Sequence, residues 1–149
     1  MDDLHTAMME WARDGYCCSQ IMILAGLAYT GRENPDLVAS LGGLCKGGYV
    51  PWGTCGALSG ACCLLGFYAG KGSSWEQKDP RLLFMAEELH RWFRERWGAG
   101  GERVGCGDIL GDTAAPDPIV CSSMVAATLE KTLQLLVGQG FGLQEGRPS

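Results

Sequence analysis

The sequence predicts an all-α fold of about six helices joined by glycine-rich loops, and three observations carry that expectation. Apolar residues recur at helical spacing through most of the chain, and helix-opening signals repeat at Asn34-Pro35, Asp79-Pro80 and Asp117-Pro118. No stretch alternates apolar with polar residues as a half-buried strand would. No internal repeat or boundary divides the chain, so residues 1–149 read as a single domain.

Each element has its own justification. Leu4, Met8, Trp11 and Ala12 fall on one face of a short amphipathic helix. Asp14 is placed to cap the run YCCSQIMILAGLAYTG, which is too densely apolar for a surface helix and stops at Gly31. Asn34, with Pro35 at the first helical position, opens a short helix that ends in the Gly42 and Gly43 pair. The stretch GGLCKGGYVPWG follows as a glycine-rich loop.

Helical spacing resumes in CGALSGACCLLGFYAGK, where Thr54 is placed to cap and Gly70 to Gly72 stop the run. Asp79-Pro80 then opens a helix whose apolar face is Leu82, Ala86, Leu89, Phe93 and Trp97, with Gly98 as its stop. A loop leads to the short turn CGDILG, and Asp117-Pro118 opens a last helix through IVCSSMVAATLEKTLQLLVG. The last dozen residues read as an irregular tail.

Composition narrows the function. A chain of 149 residues that is 46% hydrophobic and 19% charged has enough apolar side chain for one sizeable core. A net charge of -5 argues against nucleic-acid or anionic-membrane partners, which need a cationic field. The five Trp therefore read as core, and in HRWFRERW the spacing puts Phe93 and Trp97 on the core face and Arg91 and Arg94 towards solvent. No basic and apolar leader opens the sequence, and the longest apolar run, Ile21 to Tyr29, is far short of the roughly 20 residues of a membrane span. A cytoplasmic protein is expected.

Eight cysteines are the unusual feature. They amount to about 5% of the chain, below the density of small disulfide scaffolds, and a reducing compartment would keep most of them as thiols. Position relative to the helix starts sorts them. Cys18, Cys55 and Cys121 fall at or near predicted helix N-termini and Cys106 opens the turn CGDILG; unpaired N–H groups and the positive end of the dipole favour a thiolate there. Cys62 and Cys63 lie about 10 to 12 Å along the helix axis from Cys55, too far to share a disulfide or a metal ion with it. Cys17, Cys62 and Cys63 therefore read as packing. Gly56 and Gly60, four residues apart, form a face that admits another backbone, with Ala57 and Ala61 as small contacts beside it.

At CGALSG the sequence resembles the C_GCAxxG_C_C family of redox-active proteins. The resemblance covers most of the chain: Cys18-Ser19-Gln20, the glycine-rich loop with Cys55 to Gly60, Cys106-Gly107-Asp108-Ile109-Leu110, and Cys121 with Val125 on the last helix. It implies redox chemistry at Cys18, Cys55, Cys106 and Cys121, by an oxidoreductase or an electron-transfer protein. Under it these four would be the catalytic residues and, with a cofactor bound, its metal ligands. Similar domains occur in split-Soret cytochromes, but this chain has no CxxCH, so covalent haem is not expected.

Two forms of that chemistry stay open: thiol/disulfide exchange with Cys55 as the best-placed nucleophile, and an iron–sulfur cluster held by four thiolates. The cysteine spacings of 37, 51 and 15 match no compact ferredoxin run. A structural zinc ion is an alternative, although zinc sites usually contain a close CxxC. A non-catalytic helical interaction protein with inert buried cysteines is another. The partner would be a redox protein or a small molecule, a homodimer is open, and the loop Gly42 to Gly53, with Tyr49 and Trp52, is the expected point of access. Of the two histidines, His5 and His90, His90 reads as a boundary residue beside the apolar face of its helix; GKGS lacks P-loop spacing, and the aspartates carry no acid/base motif.

Overall fold

The computed structural model describes residues 2–98 and 118–147, with the side chains of residues 3–98 and 123–147. It is all-α. Six helices of seven residues or more lie among the described residues: α1 (Asp2–Arg13), α2 (Cys18–Thr30), α3 (Pro35–Leu41), α4 (Gly56–Ala69), α5 (Arg81–Trp97) and α6 (Pro118–Gly138).

The centre of the bundle is α4, which packs against α2, α5 and α6. Ala57, Leu58, Ala61, Leu64 and Leu65 are fully enclosed, as a helix apolar on most sides requires. Around it close Met22 and Ala25 of α2, Met85, Leu89 and Phe93 of α5, and Leu129 and Leu136 of α6. The amphipathic α1 lays Met8 on this core with Leu4 and Trp11 beside it. A smaller cluster of Ile23, Leu27, Val38 and Leu41 joins α2 to α3.

The glycines expected to admit a neighbouring backbone do so. A Cβ on Gly60 would lie 2.5 Å from Ser19 Cα, and one on Gly26 would lie 2.8 Å from Leu64 Cδ1 and 3.1 Å from Phe67. Ser19 thus pairs with Gly60 and Gly26 with Leu64 and Phe67, so α2 and α4 run side by side in the same direction. At the far end the Tyr68 hydroxyl donates to the Leu143 carbonyl at 2.7 Å, which brings the ends of α4 and α6 together. Arg81 at the start of α5 donates to the Gln139 carbonyl at 2.8 Å, so α5 runs back against α6.

Asn34 caps α3 as expected, its side chain accepting from the Leu37 N–H at 3.1 Å with Pro35 at the first position. Gly31 ends α2 in the left-handed region at φ 66°, and Gly98 ends α5. Three expected caps move. The N-cap of α2 is Cys17, because Asp14 still belongs to the closing turn of α1 through its N–H to the Glu10 carbonyl. The N-cap of α4 is Cys55, one residue beyond Thr54. Pro80 caps α5, while the Asp79 carboxylate accepts from the Arg81 N–H at 3.0 Å. Asp117 and the turn CGDILG lie outside the described residues.

The expectation for the Trp residues is corrected. Trp52 and Trp75 are 80% and 82% exposed, so not all five Trp serve the core. Residues 139–147 carry no helix, yet Phe141 is buried and the guanidinium of Arg81 stacks 3.8 Å above its ring. Arg147 binds Glu76 at 3.1 Å. The tail is therefore packed. Among the described residues, no helix is long and apolar enough to cross a membrane.

Candidate functional site

The parallel course of α2 and α4 puts their N-termini at one end of the bundle. Cys18 is the first residue of α2 and half-buried; Cys55 is the N-cap of α4 and only 4% exposed. A Cβ on Gly56 would lie 3.8 Å from Cys18 Cβ and 3.1 Å from the Leu44 carbonyl oxygen, so the two helix starts and the loop after α3 meet there. Two positive dipole ends converge there, and such an end favours thiolate over thiol.

Of the other two expected site residues, Cys121 lies in the first turn of α6, with its side chain outside the described residues, and Cys106 lies outside them altogether. Among the described residues no three His, Cys, Asp or Glu side chains are grouped as metal ligands.

The loop from Gly42 to Gly53 is more ordered than a run of glycines suggests. Gly42–Leu44 forms a turn of 3-10 helix, and Cys45 follows it, 6% exposed. Lys46, Gly47, Gly48 and Tyr49 then take φ of 52°, 70°, 72° and 68°, four successive left-handed residues. For Lys46 and Tyr49 that conformation costs about 1–2 kcal/mol each. Gly53 permits the fold-back, since a Cβ there would collide with the Gly47 carbonyl oxygen. Tyr49 and Trp52 stand out into solvent at 68% and 80% exposure.

Cys45 is fastened to the start of α2 by a disulfide to Cys17, with Cα atoms 5.9 Å apart across 28 residues of sequence. This corrects the packing reading of Cys17. Ser19 ties the junction together: its hydroxyl donates to the Leu41 carbonyl at 2.8 Å and lies 3.3 Å from Cys17 Sγ and 3.8 Å from Cys45 Sγ. Gln20 also spans it, accepting from the Cys17 N–H at 3.2 Å and donating to the Val38 carbonyl at 3.2 Å. Sequence reasoning missed Cys45. The available signal was a cysteine standing in a glycine loop, outside any helical packing pattern.

Cys62 and Cys63 behave as packing residues. Burial, reinforced by the neighbouring Cys63, pushes the Cys62 thiol up to about 11, and burial also raises Cys63. His90 sits at the boundary of α5, its Nδ1 2.8 Å from the Ala86 carbonyl and its ring nitrogens 3.9 and 4.0 Å from Cys62 Sγ. A thiol held protonated in this way is a poor nucleophile at neutral pH.

The fold and the site define an all-α, cysteine-rich protein: two cysteines at adjoining helix N-termini, with a disulfide closing the loop beside them. The family described as "Putative redox-active protein (C_GCAxxG_C_C)" matches residues 16–135, and the chain belongs to that family. No curated protein and no solved structure matches the chain.

Proposed function

We propose that the chain works as a thiol redox protein whose centre combines Cys18 and Cys55 with Cys106 and Cys121, by thiol/disulfide exchange. The observation that carries this reading is the meeting of the α2 and α4 N-termini, each bearing a cysteine at its first or capping position. Membership of a redox-active family supports it. In exchange, a pair of thiols from this set gives two electrons and two protons to a partner disulfide, which leaves as two thiols while the pair closes into a disulfide.

The course of α6 supports including Cys121. Tyr68 near the end of α4 meets Leu143 just past the end of α6. Counting back at about 1.5 Å per residue, Cys55 lies about 20 Å from Tyr68 and Cys121 about 25 Å from the end of α6. Both cysteines then fall towards the same end of the bundle. The exposed Tyr49 and Trp52 beside that end are the proposed point of partner access.

A second reading rests on the number of cysteines the motif supplies, since four thiolates are the ligand set of an iron–sulfur cluster. Cys18 and Cys55 would supply two of the four thiolates, and Cys106 and Cys121 the other two. Such a cluster would supply one-electron transfer; the residues here would hold it through thiolates stabilised by the helix ends. Protein purified without oxygen and assayed for iron and visible absorption separates the readings. Exchange predicts colourless, iron-free protein with thiols that oxidise reversibly. Bound iron with charge-transfer absorption that is lost in Cys55→Ser selects the cluster.

A further inference from the structure

We infer that the Cys17–Cys45 disulfide is a second thiol-exchange site, separate from the four motif cysteines, with Cys17 as the attacked sulfur and Cys45 as the resolving one. The two sulfurs are unequal. Cys17 is partly exposed at the N-cap of α2, whereas Cys45 is 6% exposed beneath the loop, so an incoming thiol reaches Cys17 first. Cys17 released at a helix N-cap is stabilised as the thiolate, the form that attacks a disulfide in the reverse direction.

The surroundings suit both states of the pair. Ser19 Oγ spends its proton on the Leu41 carbonyl, so its lone pairs face Cys45 Sγ at 3.8 Å and can accept from a Cys45 thiol. A groove of about 530 Å³ is walled by Trp11, Arg32 and Val38 and by Tyr16 and Gln20, which stand just before and three residues after Cys17 in the chain. Gln20 connects that wall to the disulfide through the Cys17 N–H. The co-reactant is a low-molecular-weight thiol, which reaches the disulfide at the partly exposed Cys17. On the other side, the left-handed turn at Lys46 to Tyr49 begins directly after Cys45, so opening the disulfide frees one anchor of the loop.

The step balances without a further co-reactant. A thiolate RS⁻ attacks Cys17 Sγ, the R–S–S–Cys17 bond forms, the Cys17–Cys45 bond breaks, and Cys45 leaves as a thiolate that takes up a proton. A second RS⁻ attacks the mixed disulfide, releasing RSSR and the Cys17 thiolate. Two thiols have then reduced one disulfide with two electrons. Oxidation runs in reverse: Cys17 attacks RSSR, and Cys45 displaces the adduct.

The test equilibrates the full chain in glutathione redox buffers, quenches with an alkylating reagent, and maps each cysteine by fragment-ion mass spectrometry. Cys17 and Cys45 are expected to convert together in the folded protein. Cys45→Ser treated with oxidised glutathione is expected to carry an adduct on Cys17 at a rate at least about tenfold above that on Cys45 in Cys17→Ser. A wild-type disulfide that stays closed in excess dithiothreitol until the protein is unfolded overturns the inference, as do equal rates in the two variants. The wild-type arm decides the matter even where a variant fails to fold. Because the readout is resolved by cysteine, the pair stands or fails independently of Cys18, Cys55, Cys106 and Cys121.

Discussion

Gly60 of α4 lies against Ser19 of α2 so closely that a Cβ on Gly60 would stand 2.5 Å from Ser19 Cα and 2.9 Å from its carbonyl oxygen. The obstruction is backbone on both sides and cannot rotate away. This contact sets the separation of the two helix starts that carry Cys18 and Cys55.

Gly60→Ala is therefore expected to destabilise the fold by at least about 1–3 kcal/mol, as overpacking at a tight contact does. Gly66 on the same helix has nothing within 4 Å of a built Cβ. Gly66→Ala should stabilise by about 0.4–1 kcal/mol through lost freedom of the unfolded chain. Chemical denaturation of the two variants checks the contrast, and equal effects would contradict the packing described.

Arg81 links three parts of the molecule: it binds the Asp79 carboxylate, donates to Gln139 and stacks on Phe141. Arg81→Ala is expected to release the C-terminal segment, raising amide exchange across residues 139–147 roughly tenfold while the centre of α4 stays protected.

That same pairing holds the Asp79 carboxyl below its usual range, with the Arg81 hydrogen bond as the largest cause. A depressed folded-state pKa gives stability that is present above the unfolded value of 3.8 and lost as pH falls below it. Asp79→Asn should thus flatten the acid side of the stability profile below pH 3.8 and leave its shape at neutral pH alone.

At the alkaline side the relevant group is Cys62, raised from 9.0 to about 11 by burial and by Cys63. The folded state keeps this proton after the unfolded chain has lost it, so stability is full below 9.0 and falls as pH rises towards about 11. Cys62→Ala should remove on the order of 2 kcal/mol or less of that decline, read as a shallower slope of unfolding free energy against pH.

The helices were legible because their signals are local. Asn34-Pro35 and the glycine stops fix ends within a few residues, and the apolar spacing of α5 comes within one position of the buried set Met85, Leu89 and Phe93. The Gly56 and Gly60 face was legible too, since small residues four apart have few other uses in a helix. Pairing of Cys17 with Cys45 was not. It depends on α3 turning the chain back across 28 residues and on the left-handed turn after Cys45, neither of which leaves a local pattern. The caps at Cys17 and Cys55 were missed for a related reason: Asp14 and Thr54 are the better capping side chains, yet tertiary packing starts each helix beyond them. The exposure of Trp52 and Trp75 shows the limit of inferring burial from residue type alone.

The central claim is that cysteines at converging helix N-termini form the redox centre. Its most direct test is a cysteine-resolved redox titration of the full chain prepared without oxygen, from dithiothreitol to a disulfide oxidant, with differential alkylation reporting the state of each thiol. The predicted result is that Cys55 and Cys18, with Cys106 and Cys121, change state reversibly or are shielded by bound iron, while Cys62 and Cys63 remain thiols throughout. If the four motif cysteines stay fully alkylatable across the whole range in iron-free protein, the claim is contradicted.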